Sequence, residues 1–141
     1  MPYFKSMKTK IITLCLIGLL LFSCSDENPS LENSNKLLGK WDWVESRGGL
    51  AGMIYTPKST GSSKILEFND SICFYYVDAN LQHKGKFEIK KTKYTNAEDS
   101  ITIIEYSDSS ISQQVTFKSK DTLVLIDNCF DCYVNVYKRR R

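Results

Sequence analysis

The chain has 141 residues, 42% of them hydrophobic and 25% charged, which is enough for one domain with its own core. Its formal charge of +3 is set by Lys5, Lys8 and Lys10, which precede residue 24 with no acid among them; the remainder is balanced, and Lys138, Arg139, Arg140 and Arg141 sit together at its end. A nucleic-acid surface needs a clustered basic face, so this balance argues against one.

The first segment in chain order is the lysine-bearing start, followed by an apolar run from Ile11 to Phe22. Crossing a bilayer takes roughly 20 apolar residues. This run is shorter and gives way at once to Ser25, Asp26, Glu27 and Asn28, so residues 1–23 read as a cleaved export signal. The junction Leu21-Phe22-Ser23-Cys24 resembles the lipobox of bacterial lipoproteins, with Phe22 bulkier than the small residue usual there. The resemblance implies acyl chains such as palmitate on Cys24, holding the protein to a membrane at ~0.8 kcal/mol per buried methylene. Ser25 stands where an Asp marks inner-membrane retention in such proteins, which points to the outer membrane of the cell envelope. Residues 24–35 then form a polar tether and residues 36–141 the folded domain.

Within the domain, Leu31 to Leu38 leaves room for a short helical turn, and from there the apolar period is two. Strands are predicted over Gly39–Arg47, Lys64–Asn69, Ile72–Asp78, Leu81–Lys90, Ser100–Tyr106, Ile111–Lys118, Thr122–Ile126 and Tyr133–Lys138. Leu81, His83, Gly85, Phe87 and Ile89 fall on one face of the fourth strand, and Ile111, Gln113, Val115 and Phe117 on one face of the sixth. Each of these inner stripes therefore carries one polar residue, His83 or Gln113. The connections are hairpin-sized and rich in Asn, Asp and Ser, so the expected architecture is all-β: an eight-stranded antiparallel up-and-down barrel with no free edge.

Gly39 and Trp41 form a Gly-x-Trp motif at the start of the first strand, and a glycine-rich loop and Tyr55-Thr56-Pro57 follow it. The stretch from Leu38 to Gly61 resembles the opening of lipocalin-like lipoproteins. That resemblance implies a barrel with one open mouth, in which Trp41 packs at the closed end against a basic residue of the last strand, Lys138 or Arg139. It covers about a quarter of the mature chain, together with the strand pattern.

Catalytic signatures are missing from the sequence. There is one histidine and no Gly-x-Ser-x-Gly elbow, His-Glu-x-x-His pair or phosphate loop, so neither an enzyme nor a cofactor is expected. Cys129 and Cys132 have redox-motif spacing, but a reactive thiol needs a helix N-terminus, and the flanking residues read as a hairpin. A disulfide between these two across the turn is preferred to a partnership with Cys73. A zinc set of Cys73, Cys129, Cys132 and His83 would be chemically reasonable only if all four converged; no metal is expected.

Aromatic residues Trp41, Trp43, Phe68, Phe74, Tyr76, Phe87, Tyr106 and Phe117 are enough to fill a small barrel. If space remains, Tyr55, His83 and Gln113 are the expected contacts for a small apolar or amphipathic ligand, with the Gly48–Pro57 loop as lid. The competing expectation is a filled barrel whose Gly48–Gly61 loop meets another envelope protein or a glycan.

Overall fold

A computed structural model of the chain describes residues 34–93, 100–109 and 111–141. The predicted signal, Cys24 and the tether as far as residue 33 lie outside the described residues. Among those described, no helix is long and apolar enough to cross a membrane.

The strands are β1 (Gly39–Gly48), β2 (Met53–Tyr55), β3 (Lys64–Asn69), β4 (Ile72–Val77), β5 (Asn80–Lys93), β6 (Ser100–Tyr106), β7 (Gln113–Ser119), β8 (Thr122–Asp127) and β9 (Tyr133–Arg139). Their order is β2-β1-β3-β4-β5-β6-β7-β8-β9, every pairing is antiparallel, and β1 also pairs with β9. The three-residue β2 lies along the far half of β1, beyond the Gly39–Asp42 stretch that β3 occupies. The other eight strands close the up-and-down barrel expected from the alternation.

Register slips occur in three pairings, β1–β9, β4–β5 and, between Phe117 and Ser119, β7–β8; the first two decide which side chains enter the open half of the barrel. In β1 the pairing with β9 shifts between Trp43 and Glu45. Strict alternation would send Glu45 inward after Trp41 and Trp43; the extra residue leaves Val44 38% exposed and buries Ser46 instead. Glu45 pairs on the outside with Arg47. A second slip, between Tyr75 and Tyr76, sets Tyr75 opposite His83 but Tyr76 opposite Leu81. Leu81 consequently leaves the inner stripe predicted for it and is 52% exposed. Phe74 and Tyr76 also turn outward, with the Lys84 ammonium 5.4 Å from the Phe74 ring and the Tyr76 hydroxyl donating to Glu67. The barrel thus loses two of the rings expected to fill it. Ile111 precedes β7 instead of opening it and lies in the β6–β7 loop.

The core gathers toward the end where β1 begins. Leu37, Trp41, Phe68, Ile104, Leu123 and Leu125 are fully buried there, with Phe68 edge-on to Phe87 at 5.1 Å and Trp41 6.1 Å from Phe117. Burying side chains of this size contributes about 1.5–3 kcal/mol each. A helical turn at residues 34–37 caps this end, and the Trp41 indole donates to the Leu37 carbonyl at 2.8 Å. The Arg139 guanidinium lies 4.1 Å from the Trp41 ring and donates to the Leu38 carbonyl at 2.7 Å and to the Lys36 carbonyl. Gly39 makes this arrangement possible: its φ is +110°, and a Cβ there would stand 3.2 Å from an Arg139 nitrogen.

Arg139→Met keeps the aliphatic stem but removes both the ring contact and the carbonyl caps. It is expected to lower stability by about 2 kcal/mol, from a cation–π contact worth ~0.5–2 kcal/mol plus hydrogen bonds of ~1 kcal/mol each. Urea unfolding monitored by tryptophan fluorescence checks this, and an unchanged midpoint would mean that the closed end holds without the guanidinium.

Candidate ligand site

At the opposite end the barrel is hollow. A cavity of about 370 Å³ opens between the last turns of the strands. Its floor and one side are apolar, formed by Trp43, Leu66, Cys73 and the rings of Tyr75, Tyr106 and Tyr137. The other side is polar and comes from β1, β7, β8 and β9. Gln113 and Asp127 are the inward positions nearest the mouth on β7 and β8, and Asn135 is the next inward position after Tyr133 on β9; each lies two residues from a buried apolar residue, Val115, Leu125 and Tyr137 respectively. Ser46 reaches the same level through the β1 slip.

These groups form one directed hydrogen-bond chain. The Trp43 indole donates to the Ser46 hydroxyl at 2.9 Å, Ser46 to the side-chain Oδ1 of Asn135 at 2.6 Å, and the side-chain amide of Asn135 to Asp127 Oδ1 at 3.1 Å. From the other direction the Tyr106 hydroxyl donates to Gln113 at 2.7 Å, and the Gln113 amide to the same Asp127 oxygen at 2.6 Å. An unsatisfied buried polar group costs ~1–3 kcal/mol. Among the described residues, no fully buried side-chain nitrogen or oxygen lacks a partner.

The mouth is partly covered by the β6–β7 loop. Asp108, on that loop, reaches His83 Nε2 at 2.7 Å, with both side chains about half exposed. Gly85 lies beneath them, and a Cβ there would meet both Asp108 carboxylate oxygens at 2.9 Å. The missing side chain is what lets the loop bend inward, where Ser109 and Ile111 join the rim.

Of the residues expected at the site, Gln113 lines the cavity within the polar chain, and His83 stands at its rim. Tyr55 does not line this cavity. It packs 6.0 Å from Tyr133 and faces a neighbouring recess of about 330 Å³ that shares Ser46, Lys64 and Asn135 with it. The glycine-rich loop is not the lid either: Leu50 is 92% exposed, and Met53 and Ile54 lie outside the cavity lining. Its second half is ordered as β2 and the helical turn Pro57–Thr60. Thr56 caps that turn by accepting from the Ser59 amide, with Pro57 in the first turn. Thr-Pro-x-Ser was the available signal for this helix.

Cys129 and Cys132 are bonded, with Cα atoms 5.6 Å apart, and close the β8–β9 turn with Phe130 at its tip. The bond engages two of the four groups that the zinc set would require. No metal-grade cluster of His, Cys, Asp or Glu occurs among the described residues. Cys73 is free and buried at the cavity floor, where burial pushes its thiol up to about 12.

Asp127, Asn135, Tyr137, Lys64 and Asp108 were not singled out from the sequence. The alternation Leu123, Leu125, Asp127 was the signal for Asp127, hidden because an Asp at the edge of a turn reads as solvated.

Compared with protein-family models, curated proteins and solved structures, the chain matches none of them.

Burial first, and then the neighbouring Cys73, Tyr137 and Asp127, hold the Tyr106 phenol well above its ordinary range; burial raises Tyr137 and Tyr75 as well. The unfolded chain releases such protons near pH 10, while the folded state retains them. The resulting stability is therefore complete below about pH 10 and declines as pH rises further. In an alkaline titration followed at 295 nm, part of the tyrosinate absorbance is expected only as the protein unfolds. A single transition near pH 10 with the fold intact would contradict this.

Proposed function

We propose that this protein is a lipid-anchored, lipocalin-like lipoprotein of the bacterial outer membrane that binds a small amphipathic molecule in the mouth of its barrel and performs no catalysis. The observation that carries the reading is the hollow end: about 370 Å³ of space between aromatic walls and one hydrogen-bonded polar face. Small-molecule sites have this composition, mostly apolar with a few fixed polar groups that orient the ligand, and volumes from ~300 Å³ upward. The stacking of Arg139 on Trp41 is the closed-end contact that the lipocalin resemblance implies, and it supports that resemblance. The anchor rests on the residues before and at Cys24.

A second reading, a module that meets another envelope protein or a glycan, draws on the exposed Leu50, Met53 and Ile54 of the loop after β1. It was expected together with a filled barrel, and the open interior favours the ligand.

Native mass spectrometry of protein extracted from its own membrane is expected to show a co-purified small molecule. Cys73→Phe, which fills the cavity floor, is expected to abolish that adduct while leaving the circular dichroism spectrum that of a β-barrel. Wild-type protein that is always empty, and that also fails to take up added amphiphiles, would end the binding reading. Independently, Cys24→Ser is expected to eliminate palmitate labelling and sedimentation with membranes.

A further inference from the structure

The charges around the cavity are unequal. Its lining includes two carboxylates, Asp108 and Asp127, against one lysine, Lys64, and one histidine, His83. His83 is engaged with Asp108 at the rim, and the Lys64 ammonium lies over the Trp43 ring at 4.2 Å. Asp127 has only neutral donors. Its Oδ1 accepts from Gln113 and Asn135, while its Oδ2 receives only the backbone amide of Tyr133, at 3.4 Å. No cation forms an ion pair with Asp127 among the described residues. A carboxylate held by neutral groups in a partly desolvated wall keeps an uncompensated field, which an incoming cation satisfies and an anion opposes.

A second, independent feature lies beside it. Tyr137 is only 6% exposed and Tyr75 is half-buried; both line the cavity, and neither hydroxyl has a hydrogen-bond partner among the described residues. Since no fully buried side-chain oxygen among the described residues is left unpartnered, these two hydroxyls are open to the cavity they line. Their oxygens, like that of Tyr106 after its one donation, keep lone pairs that can accept from N–H groups. The rings of Trp43, Tyr75, Tyr106 and Tyr137 add faces that attract a cation once water is displaced.

We propose that the ligand is an organic amine: an ammonium group received by Asp127 Oδ2 and the tyrosine oxygens, attached to an apolar body of about one or two rings lying against Leu66 and Cys73. This rests on reading the cavity as a ligand site. An ammonium supplies the N–H donors that these acceptors lack, whereas a carboxylate or sulfonate in the same place would face Asp127 directly.

Three probes with a common body separate the cases: tryptamine, neutral indole and indole-3-propionate, titrated calorimetrically at pH 7 into the intact chain in a non-ionic detergent against a micelle blank. Tryptamine is expected to bind at least tenfold more tightly than indole-3-propionate. Asp127→Asn, which keeps the side-chain shape and removes the charge, is expected to cost tryptamine about tenfold and leave indole unchanged. Lys64→Gln, outside the hydrogen-bond chain, is expected to strengthen tryptamine about threefold and keeps the test available if the Asn variant fails to fold. Indole-3-propionate binding as well as or better than tryptamine would overturn the amine assignment while leaving a working cavity. If none of the probes binds, the cavity reading and the amine assignment fall together.

Discussion

Closure between the first and last strands is the constraint on which the rest of this molecule depends. β1 pairs with β9 from Trp41 opposite Arg139 to Gly48 opposite Tyr133. Without that seam the eight strands would be an open sheet with two unpaired edges and a flat apolar face, a template for aggregation. With it, every inward side chain shares one enclosed space. The seam brings together residues almost a hundred positions apart, so it carries a large loop-closure cost that local turns cannot offset. The Arg139 contacts fasten the seam at one end by joining the last strand to the chain just before the first, through the Leu38 and Lys36 carbonyls and the Trp41 ring.

From that seam the two ends of the barrel diverge. At the closed end, aromatic and aliphatic side chains are buried around Trp41 and Phe68. At the open end the inward positions become Ser, Gln, Asp and Asn, whose hydrogen bonds to one another hold them along the wall and away from the centre. A connected polar network is rigid in a way that a set of flexible apolar side chains is not. Space that apolar groups would have collapsed into therefore stays open. The outward turn of Phe74 and Tyr76 removes two rings that could have closed it. A pocket held open in this way spares a ligand much of the ordering cost of binding.

The fold was legible in the sequence because it rests on alternation and on turn residues, both local. β3 and β6 match their predicted bounds, and the remaining predicted strands differ from the observed ones only at their ends. β2 escaped notice because three residues are too few to show a period. The candidate site was legible only in part. Gln113 announced itself as a polar residue in an apolar stripe, and His83 did the same, although it stands half exposed at the rim rather than buried. Tyr55 was chosen because it lies in a glycine-rich loop, and a loop's course over a surface is a tertiary property that no local pattern encodes. Asp127 and Asn135 lie on adjacent strands that meet at Leu125 opposite Asn135. Each looks ordinary until the hairpin sets them side by side.

Part of the reason that the site was hard to read lies in two of the three register slips, those of the β1–β9 and β4–β5 pairings. A strand's inner face can be predicted only while the period of two holds, and one extra residue exchanges the faces of everything beyond it. Both of these fall toward the open end, whereas the third, between Phe117 and Ser119, falls at the closed end. The one in β1 brings Ser46 inward where Glu45 would otherwise have gone, and Ser46 is the link that joins the Trp43 indole to Asn135. Had Glu45 pointed inward, a second carboxylate would have stood in the wall near Asp127, and the network would have had to separate two like charges. The slip beside Tyr76 places Leu81 outside and leaves His83 as the first inward residue of β5 at the rim. Closed-end residues such as Trp41 and Phe68 obey the regular pleat, so their roles could be read directly. At the mouth, Ser46 and the displaced Leu81 owe their positions to departures from it, whereas Gln113, Asp127 and Asn135 keep the alternation, and Asp127 and Asn135 were obscured because polar residues near a turn read as solvated.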